Sequence, residues 1–197
     1  MGRVQPLKVV CVFAASSAAV ASEYATAAAE LGGLLARHGV TLVYGGGKVG
    51  LMGVVARAVH AQGGKVIAVI PHYLKTQELL YATADEIVVT DGLRERKAVM
   101  EERAEGFIAL PGGFGTLEET LEVITLKQLH RHAKPVVLLN TAGFFQPLLA
   151  VFEHLFTLRF ARREHADLYH VAATPGDAWA YLEAYEPRHP PTKWMSA

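Results

Sequence analysis

The sequence lacks the features that mark several classes of protein. Its only cysteine, Cys11, lies in the apolar run from Val9 to Phe13, so a disulfide framework is excluded and Cys11 is predicted to be a buried strand residue. No run approaches the ~20 apolar residues that a membrane helix needs, and residues 1–8 are not followed by the apolar segment of a signal peptide. We therefore expect a cytoplasmic protein with no membrane partner.

Charge of neither sign is in excess. Lysine plus arginine and aspartate plus glutamate both total 19, which gives a formal net charge of zero. A neutral chain produces no overall field that would attract nucleic acid, so an anionic ligand has to be held by local contacts. The nine histidines are scattered without the spacing of metal ligands, and we expect no metal site.

What the sequence does contain is an alternation of short apolar runs with helical patterns. The apolar runs are nearly continuous, which is typical of parallel strands covered by helices on both faces. We predict one α/β domain over residues 1–185, with a Rossmann-like, doubly wound and mostly parallel sheet, and a flexible Pro-containing tail over residues 186–197. The predicted strands are 8–14, 41–44, 65–70, 86–90, 107–110, 135–140 and 168–172, and the predicted helices are 22–38, 50–62, 93–104, 116–130, 144–160 and 177–185.

A first glycine-rich turn, Gly45 to Gly47, follows the predicted strand at 41–44 and precedes a helix. Such a turn lets the backbone approach a ligand, and the helix N-terminus offers unpaired N–H groups to an anion. The turn is not a Walker A loop, because Val49 stands where serine or threonine is required. The next strand ends at Pro71 without the acidic residue of a dinucleotide site. Close helix packing is the alternative reason for these glycines.

A second turn, Pro111 to Gly115, ends another predicted strand and opens a helix. Two glycine turns at strand carboxyl ends predict a crevice where open α/β sheets bind ligands. We expect a phosphate there, held by the N–H groups of Gly113 to Thr116 and by the Thr116 hydroxyl. The alternative is a capping box, in which Thr116 is the N-cap and Glu119 folds back on it.

The predicted helix 93–104 carries a run of charged residues. Lys97 and Glu101 are spaced as an ordinary i,i+4 surface pair. Arg96 instead shares its helix face with apolar residues, where a charge is costly unless an anion partners it. The candidate partners are the Glu119 carboxylate and a bound phosphate.

Four stretches together resemble the LOG (lonely guy) family, the cytokinin riboside 5′-monophosphate phosphoribohydrolases that are often mislabelled lysine decarboxylases. The stretches are Gly45-Gly46-Gly47, Gly50-Leu51-Met52-Gly53, Arg96-Lys97 and Pro111-Gly112-Gly113-Phe114-Gly115-Thr116-Leu117-Glu118-Glu119. The resemblance extends from about residue 9 to residue 160. It implies a homodimer that splits AMP, or an N6-modified AMP, into free base and ribose 5-phosphate without a metal or organic cofactor.

The resemblance also implies roles for individual residues. Arg96 and Glu119 match the catalytic arginine and glutamate of the family. The implied substrate-binding residues are Ser16, Ser17, Gly45, Gly46, Gly47, Glu78, Lys97, Gly112, Gly113, Phe114, Gly115, Thr116, Leu117, Glu118 and Thr125. For the dimer, the Ala-rich segment from Ala25 to Ala29 would permit close approach of helices.

One loop departs from the family pattern. After the first strand the family usually reads Gly-Ser-Ser, whereas here Ala15 precedes Ser16 and Ser17, and Ala14 stands where cysteine is common. Alanine takes a positive φ less readily than glycine. We therefore expect this loop to alter ligand binding or base preference.

Breaking an N-glycosidic bond builds positive charge on the ribose, as in glycosidases. Glu119 would stabilise that charge and activate water, and Arg96 would orient Glu119 and contact the substrate. A nucleotide or cofactor carrier on the same fold is the alternative, but a carrier needs no such pair. A sugar-phosphate transferase would need an acceptor site that the sequence does not show. A pyridoxal-phosphate decarboxylase would need a Schiff-base lysine in a cofactor pocket, for which the chain offers no frame.

Overall fold

The computed structural model describes residues 7–76 and 79–187. Strands and helices alternate along these residues. They are β1 Val9–Phe13, α1 Ser22–Arg37, β2 Thr41–Tyr44, α2 Gly50–Ala61, β3 Val66–Pro71, β4 Glu86–Thr90, α3 Leu93–Arg103, β5 Gly106–Ala109, α4 Phe114–Gln128, β6 Val136–Leu139, α5 Gln146–Thr157, β7 His170–Ala172 and α6 Pro175–Glu183, with 3₁₀ turns at His72–Leu74, Thr141–Gly143 and Arg163–Leu168.

The strands form one parallel sheet in the order β4-β3-β2-β1-β5-β6-β7. From β1 the chain builds the sheet outward to β4, then returns to place β5 on the other side of β1. This reversal opens a crevice at the carboxyl ends of β1 and β5, where proteins of this topology bind ligands. The predicted Rossmann-like, doubly wound fold is confirmed.

The core lies on both faces of the sheet, because successive side chains of a strand point to opposite faces. Val10 and Val12 of β1 belong to the apolar cluster under α1, α2 and α6. Cys11 and Phe13 belong to a second cluster with residues of α3 and α4. Cys11 is fully buried, as predicted, and burial raises the pKa of its thiol.

Small residues bring α1 close to α2. A Cβ added at Gly32 would lie 2.6 Å from the carbonyl oxygen of Val55. Ala27 and Ala28 are buried in the same cluster as Val55. Two residues of the Ala-rich segment therefore pack inside the subunit, whereas Ala29 is exposed.

The largest differences from the predicted boundaries lie at helix ends. The helices predicted to reach residues 130 and 160 end at Gln128 and Thr157, because His130 and Arg159 adopt positive φ angles of 58° and 61°. Residues 188–197 of the predicted tail lie outside the described part of the chain. None of the described helices has the length and apolar character needed to cross a membrane.

Candidate active site

Three loops meet at the carboxyl ends of β1, β2 and β5. The backbone N–H of Ala15, after β1, donates to the carbonyl of Pro111 at 3.3 Å, and Met52 N–H donates to the carbonyl of Ala15 at 3.2 Å. The loop after β1 therefore connects the two glycine turns. Beside it lies a cavity of about 350 Å³, lined by Ser16, Gly45, Gly47, Val49, Met52, Ile70, Leu74, Leu79 and Arg96.

A buried ion pair joins α3 to α4 at this crevice. Arg96 Nη1 lies 3.1 Å from Glu119 Oε1, and the two side chains are only 13% and 9% exposed. Arg96 Nε also donates to the carbonyl oxygen of Val69, within β3, at 3.2 Å. The anionic partner predicted for Arg96 is Glu119. A buried charge pair is costly unless it is well satisfied, so its presence next to a cavity suggests a functional site.

Glycine is required at two positions of the turns, because the side chains of Arg96 and Thr116 pack directly against the backbone there. A Cβ at Gly45 would collide with Nη2 of Arg96, and one at Gly112 would collide with the hydroxyl of Thr116. Gly46 adopts a φ of 77°, a backbone conformation that favours glycine whatever its neighbours are. Close packing and ligand access are therefore not competing explanations of the first turn, because the group packed against Gly45 is itself the site arginine.

The alternative interpretation of this turn, a capping box with Thr116 as its N-cap, is wrong. Helix α4 begins at Phe114, two residues earlier than predicted, with Gly113 as its N-cap. Thr116 is consequently inside the first turn and buried, while Glu119 is turned towards Arg96. The first bond of the helix runs from Leu117 N–H to the Gly113 carbonyl at 3.0 Å. The preceding N–H groups have no acceptor within the helix and are available to an anion.

The start of α4 is also sterically open. A Cβ added at Gly113 or Gly115 would meet no described atom within 4 Å, and neither residue has a positive φ. Packing and backbone conformation in the described chain therefore do not account for these two glycines. Phe114 between them is 93% exposed.

The electrostatics of Glu119 favour a carboxyl group that can exchange a proton. Burial raises its pKa, the Arg96 guanidinium lowers it, and the neighbouring Glu118 carboxylate raises it again. The net effect is a pKa above the ordinary value. Groups with such shifted pKa values are typical of catalytic acids and bases.

Lys97 does not form the predicted pair with Glu101. Its ammonium group reaches across to α4, where it contacts the carboxylates of Glu118 and Glu122. Burial lowers the pKa of Lys97, but these two contacts outweigh burial and leave the pKa above its ordinary value. The spacing rule fails because the Lys97 side chain is directed towards the neighbouring helix.

Of the other predicted site residues, some lie at the cavity and others lie away from it. Ser16 lines the cavity, while exposed Ser17 accepts a hydrogen bond from Ala19 N–H at 3.2 Å. Leu117 packs against the apolar cluster that contains Phe145. Thr125 is exposed and lies nine residues beyond Thr116, which is about 13 Å along α4. Thr125 is therefore remote from the crevice of its own subunit. Glu78 lies outside the described residues.

The altered loop after β1 is unstrained. Ala15 is buried and is not among the residues with a positive φ, so its methyl group costs nothing in backbone conformation. The cavity residues that were not predicted from the sequence are apolar: Val49, Met52, Ile70, Leu74 and Leu79. In the sequence, only their proximity to the glycine turn and to the end of β3 indicated a place at the site.

No group of three or more potential metal ligands was found among the described residues.

Fold and site together define a Rossmann-like α/β protein with an anion-accepting crevice at the carboxyl ends of its strands. A family model described as "Possible lysine decarboxylase" matches residues 52–182. The chain is 45% identical to the probable cytokinin riboside 5′-monophosphate phosphoribohydrolase LOGL5 of Oryza sativa subsp. japonica, over 90% of this chain and 72% of that relative. It is 43% identical to the phosphoribohydrolase LOG3 of Arabidopsis thaliana, over 91% and 84%. The chain therefore belongs to the LOG family.

Solved structures agree with this fold. The molybdenum cofactor carrier protein of Chlamydomonas reinhardtii is 28% identical, with a TM-score of 0.70, and the match covers 89% of this chain and 96% of that one. A molybdenum cofactor binding protein of Rippkaea orientalis, at 21% identity and a TM-score of 0.66, covers 93% and 98%. The second likeness concerns the fold alone.

Proposed function

We propose that the protein hydrolyses the N-glycosidic bond of a nucleoside 5′-monophosphate, either AMP or an N6-modified AMP such as isopentenyladenosine monophosphate. The products are the free base, an active cytokinin when the base is so modified, and ribose 5-phosphate. The observation that carries this proposal is the buried Arg96–Glu119 pair between the two glycine turns. It lies in a chain 43–45% identical to relatives named phosphoribohydrolases.

Glu119 would act on the reacting carbon. As the bond between the ribose C1′ and the base breaks, the base departs with the electron pair and positive charge develops on the sugar. The Glu119 carboxylate stabilises that charge and accepts a proton from the water whose oxygen bonds to C1′. Over the whole reaction the base gains one proton and Glu119 returns to the carboxylate, so that the water is divided between ribose and base. The raised pKa of Glu119 suits this proton transfer. Arg96 holds the carboxylate in place through its 3.1 Å contact and would contact the substrate.

The remaining parts of the nucleotide match the rest of the crevice. The 5′-phosphate would be held by the free N–H groups of Phe114, Gly115 and Thr116, where the helix dipole favours an anion. The base would enter the cavity, whose wall is largely apolar. Binding energy from both ends would place C1′ against Glu119.

We propose that the active form is a homodimer. Apolar side chains are exposed on neighbouring elements of one face of the sheet, including Phe114 and Leu121 of α4 and Val151 of α5. Thr125 is exposed one turn beyond Leu121. A second copy would cover these side chains, and Thr125 would then serve the site of the partner subunit.

We also propose that the protein is cytoplasmic and does not bind nucleic acid. Cell fractionation and a gel-shift assay would test these two proposals.

Incubation with AMP and with N6-isopentenyl-AMP tests the function directly. We expect free base and ribose 5-phosphate in equal amounts. The second candidate, a carrier, is favoured by the structural likeness to a protein named a molybdenum cofactor carrier. A carrier would bind a nucleotide-like ligand and release no base, so binding without hydrolysis would favour that candidate over the hydrolase.

A further inference from the structure

A hydrogen-bonded cluster outside the ion pair connects α2 to the segment before β4. Nδ1 of His60 lies 2.8 Å from the hydroxyl of Tyr81, and Nε2 lies 3.0 Å from Oδ2 of Asp85. The same Asp85 oxygen accepts the backbone N–H of Val66, at the start of β3, at 2.8 Å. We name this set of side chains the His60–Tyr81–Asp85 cluster.

The protonation of the cluster follows from its partners. The Val66 amide, and next the His60 ring, lower the pKa of Asp85, so its carboxylate is ionised and accepts hydrogen bonds. Nε2 of His60 therefore carries the ring proton and donates to Asp85. In the neutral ring, Nδ1 is then the acceptor for the Tyr81 hydroxyl. The whole chain of hydrogen bonds is satisfied in one arrangement, which orients Tyr81.

Tyr81 belongs to a short segment that pairs with the first glycine turn. Its N–H donates to the carbonyl of Gly46 at 2.9 Å, and Lys48 N–H donates to the carbonyl of Leu79 at 2.8 Å. An antiparallel bridge joins Gly47 to Leu80 between these two bonds. Leu79 is thereby placed in the wall of the cavity, while Gly47 and Val49 line it from the turn.

We propose that His60 and Tyr81 are positioning residues for the base of the substrate. They hold residues 79–81 against the glycine turn and so fix Leu79 in the apolar wall of the cavity. This inference rests on the proposed function, since that function assigns the base to the cavity. Neither residue reaches the reacting atoms; both act through the backbone that carries Leu79.

Two substitutions remove the hydrogen bonds with little change of shape. Tyr81→Phe deletes one hydroxyl, and His60→Leu leaves an apolar side chain that cannot form a hydrogen bond. His170→Leu is the matched control, because His170 also contacts an aspartate, Asp177, at 3.5 Å and stacks on a tyrosine ring at 4.1 Å. That control pair lies at the opposite edge of the sheet from β4.

Steady-state kinetics with AMP and N6-isopentenyl-AMP separate positioning from stability. For the two cluster variants we expect KM for both nucleotides to rise about three- to tenfold, with kcat changed less than twofold. The rise should be larger for the N6-isopentenyl substrate, which fills more of the apolar wall. The control variant should keep both constants. An equal rise in KM for the control, or a loss of kcat alone, would overturn the proposal.

Amide hydrogen exchange provides a readout that does not depend on activity. The N–H groups of Lys48 and Tyr81 report directly on the pairing of residues 79–81 with the turn. We expect their protection to fall at least about tenfold in both cluster variants and to stay unchanged in the control. Unchanged protection contradicts the positioning role whatever the activity. A wild-type protein that hydrolyses neither nucleotide, with exchange altered as expected, contradicts the proposed function instead.

Discussion

At the scale of single residues, two carboxylates of α4 lie in different surroundings, and the proposed mechanism uses only one of them. Glu119 is buried against Arg96, whereas Glu122 is half-buried against Lys97. Both carboxylates have a cationic partner, so an ion pair alone does not distinguish a catalytic group. What distinguishes Glu119 is its burial beside the crevice and the resulting rise of its pKa.

Substitution of Glu119 by glutamine tests this distinction. Glutamine keeps the size of the side chain but cannot stabilise a ribose cation or accept the proton of water. We expect kcat to fall by a factor on the order of 10² or more, while AMP binding and melting temperature are largely kept. Arg96→Ala should be similarly inactive, and the double variant little worse than either single one. Glu122→Gln is the control, and near-normal turnover by a folded Glu119→Gln protein would contradict the mechanism.

A second residue-scale prediction concerns Lys127, which the proposed mechanism does not use. Its side chain is 2% exposed, and its Nζ has no hydrogen-bond partner among the described residues, with only the Tyr185 ring 4.9 Å away. Burial lowers its pKa from 10.5 to about 8. The folded state therefore disfavours the charged form. This loss of stability is fully present below about pH 8 and disappears as the pH rises towards 10.5.

Lys127→Met should accordingly stabilise the protein. Methionine has a similar shape and needs no counter-charge, so we expect a gain on the order of 1–3 kcal/mol in the free energy of unfolding at pH 7. The gain should shrink steadily between pH 8 and pH 10.5, as measured by denaturant unfolding at each pH. Lys134→Met, which removes a 2.7 Å hydrogen bond to the Glu101 carbonyl, should destabilise the protein. A gain that is independent of pH would refute the assignment to charge burial.

At the scale of elements, the start of α4 carries the proposed phosphate site. The helix begins at Phe114, its N-cap Gly113 provides no side-chain cap, and Gly113 and Gly115 leave open space around the exposed N–H groups. Glycine is a common N-cap residue, so Gly113 needs no further explanation. Gly115 lies inside the first turn, where alanine forms a helix better than glycine, and is therefore explained by what approaches the helix end.

Gly115→Ala separates folding from binding at this position. Because the new methyl group meets no described atom within 4 Å, we expect an unchanged or slightly higher melting temperature. We expect KM for AMP to rise about tenfold or more, since the methyl group enters the phosphate position. Adenosine, which has no phosphate, should be a poor substrate of the wild type. If adenosine were cleaved as well as AMP, the phosphate assignment would be wrong.

At the scale of the whole molecule, exposed apolar side chains extend along α4 and past the end of α5. Phe114 at the start of α4 is 93% exposed, and Phe160 after α5 is 79% exposed. Helix α5 itself buries only Phe152 in the described chain, although most of its residues are apolar. A helix of this composition is normally covered on more than one side, which a second subunit would achieve.

Mixing two impaired variants tests whether sites are shared between subunits. If Thr125 completes the site of the partner subunit, Thr125→Ala and Glu119→Gln dimers should each have low activity. Reassembled mixtures should regain up to about a quarter of the wild-type sites, because each mixed dimer contains one intact site. Sedimentation should show a dimer throughout. An active monomer, or a mixture no better than its two components, would exclude the shared site.

Much of this architecture was predictable because its signals are local. Continuous apolar runs marked the buried parallel strands, and two glycine turns marked the strand ends where the crevice lies. The apolar neighbours of Arg96 showed that it needs an anion. The boundary of α4 was not predictable, because Thr116 and Glu119 have the spacing of a capping box even though the chain enters the helix at Gly113.

The sequence by itself determined the order of strands and helices, the glycine turns and the presence of an arginine, Arg96, that needs an anionic partner. Each of these features depends on residues that are close together in the sequence. Only the tertiary structure decided the partners. It placed Arg96 on Glu119, Lys97 on Glu118 and Glu122, and Leu79 in the cavity wall. Contacts between elements depend on how α3, α4 and the segment before β4 pack on the sheet. That packing is set by the whole core, and no local spacing of residues encodes it.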